Sequence, residues 1–181
     1  MTHSLRRDAT ALMVMYARYH RDRRNIATHF VGVPMIVFAV QVLLSRSAFD
    51  LLGVFMTPAT LLWIVASAWY LSRGHLVLGL ATTLATGLLT LLAHPAAGGS
   101  TSGWLACGLG AFVLGWAIQF VGHYYEGRKP AFVDDLTGLL IAPMFIAGEA
   151  LFALGLCRPL AEDIERAAGP TYLRDLASPV T

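Results

Sequence analysis

The chain has 181 residues, of which 56% are hydrophobic and only 13% charged, with a formal net charge of +2. Soluble domains carry about 25% charged residues, so this composition cannot cover a water-facing globule and excludes an ordinary soluble protein. The positive balance comes largely from Arg6, Arg7, Arg18, Arg21, Arg23 and Arg24, ahead of the first apolar stretch, which reads as a membrane-orientation signal and speaks against a nucleic-acid partner.

In chain order, the first expected element is an N-terminal amphipathic helix, basic and solvated, over Met13 to Arg24. The apolar run behind it opens near Ile26, too late for the core of a cleaved signal peptide, so the first segment is expected to persist as a span. A transmembrane helix needs roughly 20 mostly apolar residues. That ruler predicts spans over Ile26 to Leu44, Leu51 to Leu71, Leu76 to Ala93, Trp104 to Val121 and Leu136 to Leu156. Polar or helix-breaking residues separate them: Ser45-Arg46-Ser47, Ser72-Arg73-Gly74, His94-Pro95 with a small-residue stretch, and Glu126 to Pro130.

The fifth segment is interrupted by Gly138, Pro143, Gly148 and Glu149, and a kinked or re-entrant path that returns the tail to its starting side is open for it. The fold class expected is all-α: an integral membrane bundle of four to five transmembrane or re-entrant helices in a single membrane-embedded domain. Residues 26–156 form the bundle and 157–181 a surface tail, with a short surface helix between Pro159 and Leu176. Cys107 and Cys157 lie in apolar runs and read as small hydrophobes. With the N-terminus inside, nine Lys and Arg fall on the cytoplasmic side and four opposite, which favours that orientation.

The polar residues within this apolar chain are unevenly placed. His20 and His29 precede or open the first span, and His123 with Glu126 closes the fourth. An even number of crossings returns a chain to the face it left, so these residues can meet at one membrane surface, the cytoplasmic one. His123 and Glu126, three apart on a helix, share a face. Imidazole with carboxylate is a ligand set for non-haem iron, zinc and manganese, and two histidines with one carboxylate serve many iron oxygenases. The plain alternatives are an exposed His20 and an interfacial His123 with Glu126 paired to Arg128 or Lys129. His29, inside an apolar run, calls for a partner. Glu149, within the fifth segment, either reaches the ion or hydrogen-bonds a neighbouring helix. Gln119 either supports the site or bridges helices. His75 and His94 bracket the third span at opposite ends and cannot share an ion.

Two stretches carry a family resemblance: Tyr19-His20 with Asn25, His29, Val33 and Pro34, and QFVGHYYEGRKPAFVDD from Gln119 to Asp135, continued by Ala142, Pro143, Phe145 and Glu149. They resemble the small membrane 2-hydroxy fatty acid dioxygenases. The resemblance implies iron(II)-dependent α-oxidation, in which a 2-hydroxy fatty acid and O₂ give a fatty acid one carbon shorter. It implies His20, His29 and His123 as ligands of Fe2+, with Glu126 and Glu149 as further carboxylates at the metal. Arg128 and Lys129 are then candidates to hold the substrate carboxylate at the headgroup level. The implied site is cytoplasmic, at the inner membrane of a bacterium or the endoplasmic reticulum of a eukaryote. The rivals are a small membrane transporter or metal/proton carrier using the same cluster, and a di-iron lipid hydroxylase, for which six histidines are too few.

Overall fold

The computed structural model describes residues 7–177; His3 and Arg6 lie outside them. The chain runs through α1 (Ala9–Ala17), α2 (Arg23–Leu44), a hairpin of β1 (Phe49–Leu51) and β2 (Val54–Met56), α3 (Pro58–Leu71), α4 (Leu76–Ala97) and α5 (Thr101–Glu126). A 3-10 turn at Ala131–Val133 then leads to α6 (Thr137–Ala153) and α7 (Arg158–Ala168). The architecture is the all-α membrane bundle that the composition demands. α2, α4 and α5 are long and apolar enough to cross a membrane, and their 22 to 26 residues exceed the roughly 20 that a bilayer requires. Their outer faces expose Leu84, Leu88 and Leu91 on α4 and Val113 and Phe120 on α5, a surface suited to lipid.

α2 and α5 run antiparallel in close contact because glycines face the partner helix. A Cβ on Gly32 would stand 2.8 Å from Gln119 Cγ and 2.9 Å from the Gly115 carbonyl oxygen, and one on Gly108 would meet the Leu43 side chain. Nearer the end of α5, a Cβ on Gly122 would overlap Thr28 Oγ1 and Asn25 Oδ1. Gly122→Ala is therefore expected to push the helices apart beside the site and to destabilise the protein by about 1–3 kcal/mol, as overpacking does. Thermal unfolding in detergent checks this. On α4, Thr82, Thr86 and Thr90 each donate a hydroxyl hydrogen bond of 2.8–2.9 Å to the carbonyl four residues earlier, which makes a polar stripe fit for burial.

The second expected span, Leu51 to Leu71, divides in two. Thr57 caps a helix by accepting from Thr60 N at 3.2 Å, and Pro58 occupies its first turn, so the helix starts seven residues late. Ahead of it the chain forms the β1–β2 hairpin, whose two-residue turn places Leu52 and Gly53 at φ of 55° and 84°. At 14 residues α3 is only about 21 Å long.

The N-terminal helix also differs from its expectation. It ends at Ala17, not Arg24, and Leu12, Met13 and Tyr16 are buried, so it is wedged into the bundle and not solvated. Its partners include α6, which is held at this same end along its length: Leu140 accepts from the Tyr70 hydroxyl, Phe145 packs on Tyr16 and His20, and Gly148 faces Met13 and Leu78. α6 and α7 meet at a bend of 116°, and α7 buries Leu160 and Ile164 in the core shared with α1. The fifth segment is thus bent, and the tail comes back beside the start of α2, where Tyr172 pairs with the backbone of Arg21 and Arg23.

Candidate metal centre

His20 lies on the short connection between α1 and α2, held in place by local capping and by one distant carboxylate. Asp22 caps α2 by accepting from Arg24 N at 2.8 Å. From the last residue of α5, Glu126 accepts from the backbone N–H of Arg21 at 3.0 Å, from that of Asp22 at 2.8 Å and from Asn25 Nδ2 at 2.9 Å. A buried carboxylate thus satisfies the donors that a helix start leaves open, and it stands where the helix dipole favours negative charge. The chain beyond α7 closes the other side. Tyr172 pairs with Arg21 and Arg23 through backbone hydrogen bonds, Arg174 N donates to Asp22 Oδ2 at 2.8 Å, and the Arg174 guanidinium donates to the Tyr125 and Tyr124 carbonyls at the end of α5.

The three histidines meet. One ligand nitrogen from each of His20, His29 and His123 lies within 4.8 Å of the others, and all three residues are buried. His20 Nδ1 donates to the Tyr16 carbonyl and His29 Nδ1 to the Asn25 carbonyl, each at 2.8 Å. A carbonyl oxygen only accepts, so the Nδ1 of each ring carries the proton and the Nε2 of a neutral ring is a bare lone pair. Those two Nε2 atoms face each other at 3.0 Å. Two lone pairs repel unless a cation lies between them, and an ion with bonds of about 2.0–2.1 Å to imidazole nitrogen can bridge that spacing. His123 adds a buried Nδ1 with no hydrogen-bond partner among the described residues. Burial, and next the proximity of His29, hold the His20 pKa well below its ordinary value, which keeps it in the neutral form that binds metal. The donor set therefore fits a divalent transition metal, with carbonyl hydrogen bonds orienting two of its rings. Tyr16 stacks flat on His20, centroids 4.1 Å apart, and limits the tilt of that ring.

The other expected site residues are placed differently. Among the described residues neither Glu126 nor Glu149 joins the cluster of ligand atoms. Glu126 is turned to the backbone of the His20 connection, and the half-buried Glu149 lies near enough to the buried Arg21 for their opposite charges to attract. Arg128 donates to the Arg18 carbonyl, while Lys129 is paired with Asp134, which also accepts from the Tyr19 hydroxyl. Neither basic residue pairs with Glu126. His75 begins α4 and His94 ends it, far apart.

From the histidines a cavity of about 390 Å³ runs into the bundle. Tyr16, His29 and His123 form one end, and Gln41, Trp63 and Thr86 the other. His29 and Gln41 are twelve residues apart on α2, so the cavity is about 18 Å long. Between these ends the wall is mostly aliphatic and aromatic, with Gln119 as a polar exception one turn before His123. Leu136 and Leu139 line it while remaining about half exposed, so the wall there is one side chain thick.

A family model described as "2-hydroxy-palmitic acid dioxygenase Mpo1-like" matches residues 7–154. The chain belongs to the Mpo1-like family. It is similar to 2-hydroxy-palmitic acid dioxygenase MPO1 of Saccharomyces cerevisiae, with 34% identity over 161 residues that cover 87% of this chain and 88% of the relative. No solved structure matches the chain. The region matched to the Mpo1-like family holds the three histidines, Glu126, Glu149 and the whole cavity lining, and it ends before α7. The clasp from Tyr172 and Arg174 lies beyond it. In this Mpo1-like protein Arg174→Ala is expected to loosen the His20 connection, costing about 1–2 kcal/mol and speeding metal release several-fold. Release to a chelator, followed optically, checks that.

Several further residues contribute to the site. Asp22 as a cap was signalled by its place before an apolar run. Tyr16 and Arg174 had no comparable signal, since their roles arise from contacts between distant segments, and Phe145 was marked only by the family resemblance.

Proposed function

We propose that this protein is a membrane-embedded, iron(II)-dependent dioxygenase that performs α-oxidation of 2-hydroxy fatty acids, giving acids one carbon shorter. The observation that carries the reading is a cluster of three buried imidazoles at the end of an apolar cavity about as long as an acyl chain. The relative named as a 2-hydroxy-palmitic acid dioxygenase supports the substrate class.

His20, His29 and His123 would hold the iron, which supplies the means of activating O₂. Atoms and electrons balance without another reductant: the hydroxy acid gives up four electrons, O₂ accepts them, and the products are the shorter acid, carbon dioxide and water. The protein's own residues bind, orient and seal. The aliphatic walls take the acyl chain out of water, with each buried methylene contributing about 0.8 kcal/mol. Phe145 and Tyr16 pack against His20 and shut water out of the cluster. Arg128 and Lys129 precede the cavity-lining Pro130, where they would meet an entering carboxylate. Glu126 positions His20, and Glu149 balances the charge of Arg21 beside the cluster, so neither need touch the metal.

The tail returns to the end that carries the site, which leaves Arg46 alone opposite the other Lys and Arg; that distribution favours an N-terminus and metal site in the cytoplasm. A single membrane domain over the whole chain is the simplest organisation that lets both ends build one site.

The test is turnover of purified protein loaded anaerobically with iron(II). Addition of 2-hydroxypalmitic acid and O₂ should consume one O₂ per fifteen-carbon acid formed, and palmitic acid should give none. Fully iron-loaded protein that is inert toward 2-hydroxy acids would overturn the proposal. Iron transport across vesicles without O₂ uptake would favour the carrier alternative.

A further inference from the structure

Gln119 is an unabsorbed polar group inside the cavity. It is only 6% exposed, lines the cavity one helical turn before His123, and lies on the same face of α5. Its amide has no hydrogen-bond partner among the described residues. The Asn25 amide nitrogen, by comparison, donates to Glu126 and the Tyr19 carbonyl, while its Oδ1 has no partner among the described residues. An amide in an apolar wall without a partner costs free energy, and in a membrane interior such a group marks a site.

The packing around Gln119 is also specific. Gly32, three residues after His29, lies against it, and any Cβ there would come within 2.8 Å of Gln119 Cγ and 3.4 Å of Cδ. A bare backbone on α2 makes the slot that the glutamine side chain fills. Because α2 and α5 run antiparallel, a position three residues after His29 and four before His123 lies on the tunnel side of both rings, and the amide is held at the boundary between the imidazole cluster and the apolar tunnel.

We infer that Gln119 is a specificity-determining residue that hydrogen-bonds the 2-hydroxyl of the bound acid; this rests on the substrate class proposed above. A molecule with its carboxyl at the imidazoles and its chain in the tunnel carries C2 through that boundary. A hydroxyl both donates and accepts, and so does an amide, whereas an unsubstituted methylene offers neither. A site that holds a hydrogen-bonding group for a substrate hydroxyl rejects the analogue lacking it, because the protein group is then left unpaired. Palmitic acid fits the same tunnel but leaves Gln119 as it stands in the empty protein.

The experiment compares affinity for 2-hydroxypalmitic and palmitic acids in zinc-loaded protein, which cannot turn over, for wild type and Gln119→Leu. Metal content and the thermal midpoint are measured on the same samples. The expected result is unchanged metal content, unchanged or higher midpoint, equal or tighter binding of palmitic acid, and a preference for the hydroxy acid that drops about tenfold or more. If Gln119→Leu fails to fold, Gln119→Met, unbranched and of the same length, carries the same expectation. A variant that keeps the wild-type preference overturns the assignment. Wild-type protein that does not distinguish the two acids removes the substrate reading itself, and Gln119's role with it.

Discussion

Glu126→Ala is expected to lose both the metal and a large part of the fold's stability, although Glu126 does not join the ligand cluster. The carboxylate is 3% exposed and accepts from Arg21 N, Asp22 N and Asn25 Nδ2. Alanine leaves these donors without their acceptor, and each buried donor left unpaired costs about 1–3 kcal/mol, so a total of roughly 3–5 kcal/mol is expected after local relaxation. The His20 connection then has no anchor on α5, and His20 leaves its place opposite His29. Glu126→Gln keeps the shape but turns amide hydrogens toward donors, so it should fall between wild type and alanine. Denaturant unfolding in detergent, paired with metal analysis, reads both losses. An alanine variant that loses metal while keeping wild-type stability would make Glu126 a ligand and not an anchor.

His123→Ala is expected to behave in the opposite sense: metal falls from one ion per chain to almost none, and the metal-free protein unfolds at nearly the wild-type midpoint. The imidazole's Nδ1 has no hydrogen-bond partner, so its removal breaks no such bond at that atom. What is lost is one of three donors to the ion, and losing a direct ligand should exceed the 10- to 100-fold typical of removing a group behind one. Glu149→Gln, by the same logic, should retain a full complement of metal. Metal content and thermal midpoints of the two variants, measured side by side, check this. A His123→Ala protein that keeps its ion would remove that residue from the site.

Much of the architecture was legible in the sequence. Hydropathy located α2, α4 and α5 because lipid tolerates only long apolar helices, and crossing parity was enough to bring His20, His29 and His123 to one end. Hydropathy averages over a window, however, and could not separate the Phe49–Met56 hairpin from α3; that boundary rests on the Thr57-Pro58 start. Nor could it give the path of α6, which is as apolar as the others and is set by contacts with Tyr70, Tyr16 and Met13. The role of Glu126 stayed open for a different reason. Three residues after a histidine on a helix, a carboxylate can serve the metal or the neighbouring backbone, and only the register of α1 and α2 against α5 decides which. Gln119 was visible as a polar residue in a span, but its lack of a partner emerges only when the surrounding walls are in place.

The central claim is that imidazoles from residues 20, 29 and 123 hold one ion between them. Iron-edge X-ray absorption on the wild-type protein loaded with iron(II) tests it most directly. One iron per chain, with the outer-shell scattering of three imidazole rings, is the predicted result. Two irons per chain with an iron–iron vector, or a single iron surrounded by oxygen without imidazole scattering, would contradict it.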